Sequence, residues 1–506
     1  MVKNLFGRKL FWLAINKIRS IIRTLFLLEQ LLTEEIKMRV ALFTETYLPA
    51  VNGVVTHVKT LKEGLELLGH KAIIVTADSN VEKTQVSKDI MYCPAVKLEK
   101  IYGYDVASPL SADRLKMIKD FNPDIIHIHN EFGIGISGVL MARTLKIPLV
   151  YTMHTMYDDY VYYIANNAPT QKLLTSATHK YAKILATAAS AITGPSKKVE
   201  EYFRRCGVDK PVTVIPNSVE TDVFNRYTIS KEKTAEIRKK YGFDGNDLVF
   251  CFCGRMGQEK NIGTLLEYWA KNVKPSDGVK LLLIGGGPQL EEFRQDAESL
   301  GITDTVVFTG RVEHKDIPPY YAACDCYITA SLTECHSISM MEGQATGMPV
   351  LTIRDELNTE QIEEGVNGFF FRNADEMYGH IMRLKSLSEE ELDKLKLTSR
   401  ESIVSSGTKS IAEKLLTVYN TAIREYNSER MFKKLPREAK KAYKARYGDI
   451  MGYDKPARPK RSVKVKAKRV TNEERLRKKQ ERNRQRERRN AALEIRRQHS
   501  RVNKNR

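Results

Sequence analysis

Short apolar runs alternate with amphipathic stretches along most of this chain, and the series runs through twice. Residues 40–43, 72–76, 125–129 and 149–152 are apolar runs of strand length. Between them lie segments of helical period, such as His57 to Leu68, which Gly69 would close as a C-cap. The alternation restarts after Ile215-Pro-Asn-Ser-Val219, with strands expected at 249–253, 280–284, 305–308, 327–329 and 350–353. Strands apolar on both faces predict parallel sheets covered by helices on each side. The expected architecture is α/β, with two doubly wound domains, 38–213 and 214–408, facing a cleft. A length of 506 residues agrees, since it exceeds what one ordinary core accommodates.

The ends depart from this pattern. On a helix through residues 5–32, Leu10, Phe11, Ala14, Ile15, Ile18, Ile21, Ile22, Leu25, Phe26 and Leu28 share one face, with Lys9, Lys17, Arg19 and Arg23 on the other. Cations interrupt any apolar run of about 20 residues, so no spanning helix is expected. No small-residue pattern marks a removable signal. The segment reads as a helix lying in a bilayer interface, as one packed on the protein, or as an extension upstream of a start at Met38. At the other end, residues 455–506 hold 22 Lys and Arg against 5 Glu, or +17 of the chain's net +20. Residues 1–37 carry 7 basic and 3 acidic side chains, so the body between is close to neutral. Residues 428–506 are expected to be largely disordered, with a solvated helix at 472–497.

The seven cysteines form no disulfide framework, which favours a reducing cytoplasm. Cys251 and Cys253, and likewise Cys324 and Cys326, have the spacing of one strand face and read as buried small residues. Zinc sites more often leave two to four residues between cysteines.

Candidate chemistry lies at predicted strand ends, where open α/β sheets bind ligands. Gly254-Arg-Met-Gly-Gln-Glu-Lys-Asn261 follows one strand, and Arg255 and Lys260 before a helix N-terminus suit a diphosphate. A solvated loop is the alternative. Glu334-Cys-His-Ser-Ile-Ser-Met-Met-Glu342 follows the apolar run 324–330, placing Glu334 in a loop and Glu342 inside a helix. The two carboxylates need not share one role. Gly53, near a helix start, would let backbone N–H groups approach an anion. His154 follows the 149–152 strand and faces the expected cleft. His127 and His129 alternate with isoleucines and read as sheet-end polar residues. Gly285-Gly-Gly-Pro288 lacks the Lys-Ser/Thr ending of a phosphate loop and reads as a structural turn. Asp158-Asp159 lacks the spaced acidic arrangement of a Mg²⁺ or Mn²⁺ site, so neither metal nor cofactor is expected.

Taken in order, these pieces resemble the retaining glycosyltransferases of family 4, whose GT-B fold pairs two Rossmann-like domains. The resemblance is carried by residues 38–69, 123–131, 151–160, 214–224, 254–261, 284–288, 308–310 and 334–350. Phe43-Thr-Glu-Thr-Tyr-Leu-Pro49 and His154-Thr-Met-Tyr-Asp-Asp-Tyr160 are most similar to the 1,2-diacylglycerol 3-glucosyltransferases. The resemblance implies transfer of glucose from a UDP-linked donor to a membrane lipid, with retention and without a metal. It implies that Gly53 approaches the donor phosphates or sugar, and His154 the sugar near its reacting carbon. Arg255 and Lys260, after Gly254, would hold the diphosphate. Arg311 and Val312 would meet the nucleobase, Glu334 the sugar hydroxyls and Glu342 the ribose. Amides around Ser337, Ile338 and Ser339 would meet the phosphates, and a last helix, 409–427, would return to the first domain. Cys335-His336-Ser337 departs from the glycine-containing segment common in the family.

The implied partners are a nucleotide sugar, a lipid acceptor and an anionic membrane surface engaged by residues 1–37 and the basic tail. The corresponding location is cytoplasmic, peripheral on the inner face of the cell membrane. Two rivals remain. One is a family 4 enzyme acting on a cell-wall or polysaccharide precursor; the other is a non-catalytic polyanion- or RNA-binding protein. Few aromatic residues and no nucleic-acid motif in the tail weigh against nucleic acid.

Overall fold

The computed structural model describes residues 37–50, 52–98, 104–158, 161, 167–356, 359–404 and 407–434. The N-terminal amphipathic segment and the basic tail, on which two expectations fall, lie outside the described residues. Residues 429–506 make a second unit, of which only 429–434, the end of the last helix, are described.

The first half runs β1 (Arg39–Phe43), α1 (Gly53–Leu67), β2 (Lys71–Asp78), β3 (Gln85–Ser87), β4 (Ile90–Leu98), β5 (Tyr104–Ala107) and α2 (Ala112–Phe121). It continues through β6 (Ile125–Ile128), α3 (Gly133–Leu145), β7 (Leu149–Thr152), α4 (Ala168–Ala188), β8 (Ala191–Gly194), α5 (Lys197–Arg205) and β9 (Val212–Val214). The sheet order is β3-β4-β2-β1-β6-β7-β8-β9, with β5 beside β4. The pairings are parallel except β3–β4 and β4–β5.

The second half runs α6 (Lys231–Lys240), β10 (Leu248–Cys253), α7 (Ile262–Asn272), β11 (Val279–Ile284), α8 (Leu290–Ser299), β12 (Val306–Gly310) and α9 (Ile317–Ala322). Then follow β13 (Cys326–Thr329), α10 (Ile338–Ala345), β14 (Val350–Ile353), β15 (Gly368–Phe371), α11 (Ala374–Lys385), α12 (Glu389–Val404) and α13 (Thr408–Lys434). Its order, β12-β11-β10-β13-β14-β15, is parallel throughout. Connections diverge from β10 and β13, as they do from β1 and β6, and such divergence opens a crevice at the strands' carboxyl ends.

Both faces of each sheet are covered, which is why the strands read as unbroken apolar runs. Phe250 and Phe252 pack into one core, and Val249, Cys251 and Cys253 into another. Ala41 and Phe43 divide from Val40 and Leu42 in the same way. On α13, Ile411, Leu415, Val418, Tyr419 and Ala422 recur at helical spacing and join the core of Val40, Val58 and Leu61. Gly64 allows α1 to lie close to α13, since a Cβ there would sit 2.4 Å from the Thr408 carbonyl oxygen.

Several local expectations need correction. Helix α1 extends the stretch of helical period at His57–Leu68 back to Gly53, the expected helix start, because the Asn52 side chain caps it by accepting the Val55 N–H at 3.0 Å. Strands β3, β4, β5, β8, β9 and β15 were not anticipated. Cys324 and Cys326 do not share a face: Cys324 precedes β13 and joins the core of Cys251, whereas Cys326, inside the strand, faces the core of Phe250. All seven cysteines are nevertheless buried, and none is in a disulfide.

Candidate active site

The loops after β10 and β13 are fastened to each other across the second crevice. Asn261, with φ +53, donates from Nδ2 to the Ala330 carbonyl at 2.9 Å, and the Thr333 hydroxyl donates to the Glu259 carbonyl at 2.8 Å. The Gly285–Gly287 run packs against the same loop. A Cβ on Gly285, whose φ is +137, would stand 1.9 Å from the Gly254 oxygen. That run is a close-packed turn. Lys260 closes a short 3-10 turn and sets Nζ 2.5 Å from Glu334 Oε1, each side chain about one-fifth exposed (21% and 18%). Burial by itself would neutralise both. Their mutual attraction overrides it, holding Glu334 below the usual carboxylate range and Lys260 above the usual ammonium range.

Helix α10 begins beside Glu334. The Ser337 N–H donates to Gln361 Oε1 at 2.8 Å, and Ser339 Oγ lies 2.9 Å from the Tyr327 hydroxyl. One turn further on, buried Glu342 is 2.9 Å from His314 Nε2 and 3.4 Å from the Tyr321 hydroxyl. Burial raises the Glu342 pKa, and the Glu342 carboxylate raises that of His314. The two glutamates eight positions apart have separate partners, a lysine and a histidine.

The first half contributes imidazoles. His129 Nδ1 and His154 Nε2 are 3.1 Å apart, and the His57 ring lies edge-on to His154 with centroids at 4.6 Å. His127 contacts Tyr419 Oη at 2.7 Å and Thr152 Oγ1 at 2.6 Å. Burial pushes His57 down to about 4 and His127, His129 and His154 well below the usual range, so all four are neutral at pH 7. His57 Nδ1 is 2.9 Å from Asn217 Oδ1, and Asn217 Nδ2 donates at 2.9 Å to the carbonyl of His336, two residues beyond Glu334. A Cβ on Gly53 would stand 3.5 Å from Ile338 Cδ1, so the N-terminus of α1 faces that of α10. Lys198 on α5 adds a second tie between the halves, 2.5 Å from Asp355 Oδ2.

Residues 51–223 match the family described as Glycosyltransferase Family 4, and residues 233–401 match Glycosyl transferases group 1. An alpha-monoglucosyldiacylglycerol synthase of Streptococcus pneumoniae is 33% identical over 347 residues, 68% of this chain and 78% of that protein. The chain is a family 4 glycosyltransferase. A second alpha-monoglucosyldiacylglycerol synthase, from Acholeplasma laidlawii, is 29% identical across 70% of this chain and 89% of its own length. Among solved structures, Anabaena HepE in complex with UDP and glucose superposes with a TM-score of 0.58 at 17% identity, covering 76% of this chain and 99% of HepE. That likeness is one of fold, and it makes the two halves a GT-B pair.

Within this glycosyltransferase, Lys260, Glu334, Ser337, Ile338, Ser339 and Glu342 gather at the second crevice. Half-buried Arg255 stands on the Lys260 loop, directly after Gly254. Val312 packs partly buried on the second core, whereas Arg311 is exposed and 3.1 Å from Glu313. His154 and Gly53 belong to the first half. The sequence reading missed His57, Asn217 and His314 as parts of the site. Asn217 lay in the Ile-Pro-Asn-Ser-Val stretch, which was read as a boundary and as part of the resemblance but given no role, and His57 was read only as a helix position. Their partners come from residues 28 to 160 positions away, which no local pattern encodes.

Proposed function

We propose that this enzyme transfers glucose from UDP-glucose to the free hydroxyl of diacylglycerol with retention of anomeric configuration. The observation that carries the proposal is the Lys260–Glu334 pair beside the start of α10, in a chain 33% identical to an alpha-monoglucosyldiacylglycerol synthase. In the proposed reaction the bond from sugar C1 to the diphosphate oxygen breaks, and its electron pair leaves with the diphosphate. Lys260, Arg255 and the α10 amides receive that charge. The acceptor oxygen bonds to C1 on the face the diphosphate leaves, and its proton passes to the departing oxygen. Glu334 positions sugar hydroxyls. His154, kept neutral by burial, serves as a hydrogen-bonding partner near C1 rather than as a cation.

No described helix is long and apolar enough to cross a membrane. In this proposal the enzyme sits peripherally on the inner face of the cell membrane, its basic residues in 1–37 and 455–506 drawn to anionic headgroups at about 1 kcal/mol each near the surface. The test uses the full chain with UDP-glucose, UDP-galactose or GDP-mannose, and vesicles carrying diacylglycerol or a polyprenyl-linked sugar. Mass spectrometry should find monohexosyl diacylglycerol from UDP-glucose, with NMR showing the α-anomer. Hexose only on the polyprenyl acceptor, or no lipid-linked hexose, would reject the proposal.

A further inference from the structure

His57, His129 and His154 each present a ring nitrogen within 4.8 Å of the other two. They come from three elements: α1, the end of β6 and the end of β7. His57 and His129 are 1% and 0% exposed, and among the described residues His57 Nε2 has no hydrogen-bond partner. Its protonation follows from its neighbours. Asn217 Nδ2 is committed as donor to the His336 carbonyl, which turns Oδ1 toward His57. An amide oxygen can only accept, so His57 Nδ1 carries the hydrogen and Nε2 is left with a bare lone pair. A buried lone pair without a donor is costly unless something electrophilic meets it.

We propose that His57, His129 and His154 form a three-nitrogen site for a borderline divalent metal, Zn²⁺ foremost, at the floor of the cleft. Imidazole nitrogen suits Zn²⁺, Ni²⁺ and Cu²⁺ and is a poor choice for Mg²⁺. Zn–N bonds of about 2.0–2.1 Å in a tetrahedron set ligand nitrogens about 3.3 Å apart. His129 Nδ1 and His154 Nε2 stand at 3.1 Å, the length of the hydrogen bond they share, and one nitrogen of each of the three rings lies within 4.8 Å of the others; an ion binding there displaces the shared hydrogen and draws the three nitrogens inward. The Asn217 amide is the outer partner that metal-bound imidazoles commonly have, fixing tautomer and orientation. Three protein ligands would leave the fourth position of a tetrahedral ion to water or another donor. A metal held there occupies His154, so the site is inhibitory: a bound ion withdraws that imidazole from the donor sugar. The effect on turnover rests on the role given to His154 above; the binding itself does not.

The test uses the full chain without a histidine tag. Calorimetry with Zn²⁺ should show a single tight ion, Co²⁺ should give the visible absorption of a tetrahedral site, and Mg²⁺ should show neither. His57→Gln should abolish the Co²⁺ spectrum and the tight Zn²⁺ event, with circular dichroism confirming its fold. Should that variant not fold, diffraction from Zn²⁺-soaked wild-type crystals decides the matter by an anomalous peak among the three nitrogens. An undiminished Co²⁺ spectrum in folded His57→Gln, or zinc density elsewhere with these imidazoles unliganded, would overturn the proposal. Zn²⁺ should also abolish most wild-type turnover, reversibly with EDTA. Tight binding at this site with full turnover would overturn only its inhibitory role.

Discussion

The Tyr419 hydroxyl stands 2.7 Å from His127 Nδ1, although 292 residues separate the two in sequence. The contact ties the returning helix α13 to the central strand β6 of the first half, and through His127 Nε2 to Thr152 on β7. Both residues are fully buried, so neither can exchange its partner for water.

Tyr419→Phe should therefore destabilise the enzyme by about 1–3 kcal/mol, the cost of leaving one buried polar group unsatisfied. The urea midpoint measures this. Turnover in the absence of denaturant should stay near wild type, because the ring still fills its place against Val40 and Leu415. An unchanged midpoint would mean that the hydroxyl contributes nothing to anchoring α13.

A second consequence concerns pH. Glu131 is 2% exposed and accepts the Tyr151 hydroxyl at 2.8 Å and that of Tyr157. Burial raises its pKa from 4.5 to about 7. Between those values the folded chain keeps a proton that the unfolded chain has released, so this group's contribution favours folding below pH 4.5 and fades as pH rises through 7. Glu131→Gln cannot ionise and should gain on wild type between pH 5 and 8, by up to about 3 kcal/mol. Urea midpoints across that range test it; a difference that does not vary with pH would contradict the assignment.

The fold was legible in the sequence wherever burial on both faces left an unbroken apolar run, as in 249–253 and 280–284. It was illegible where strands sit at sheet edges or end in small residues. Strand β3, Gln85–Ser87, is exposed along its length, and β8, Ala191–Gly194, begins with alanine and ends with glycine. Lys260 and Glu334 were both visible as residues at strand ends. Their pairing was not, since it depends on β10 and β13 being neighbours, a property of strand order rather than of either segment. The histidines show the same limit: the Ile-His-Ile-His alternation put His127 and His129 on one face, but nothing in it placed His57 beside them.

Glu342 offers a split between binding and chemistry. A ribose contact made equally in ground and transition states affects KM and leaves kcat in place. Glu342→Ala should raise the donor KM by roughly 10-fold or more, the range expected for a hydrogen bond to a charged group, with a much smaller change in kcat. Steady-state kinetics with UDP-glucose measure both. A kcat loss equal to the loss in kcat/KM would place Glu342 in the chemical step instead.

The Lys260–Glu334 pair can be tested for whether it serves the fold or the reaction. Both side chains are about one-fifth exposed, so the full penalty for breaking a buried pair does not apply, and either single alanine should cost roughly 2–4 kcal/mol. Each should also lower turnover on the order of 100-fold or more if Lys260 meets the charge that leaves with the diphosphate. The double substitution Lys260→Met with Glu334→Leu separates the two effects. Removing both charges together leaves neither stranded, so the urea midpoint should recover most of what the single variants lose. Turnover should not recover, because no cation replaces Lys260 and no carboxylate holds the sugar hydroxyls. A double variant with restored stability and restored turnover would make the pair a strut of the second half and move the diphosphate site elsewhere.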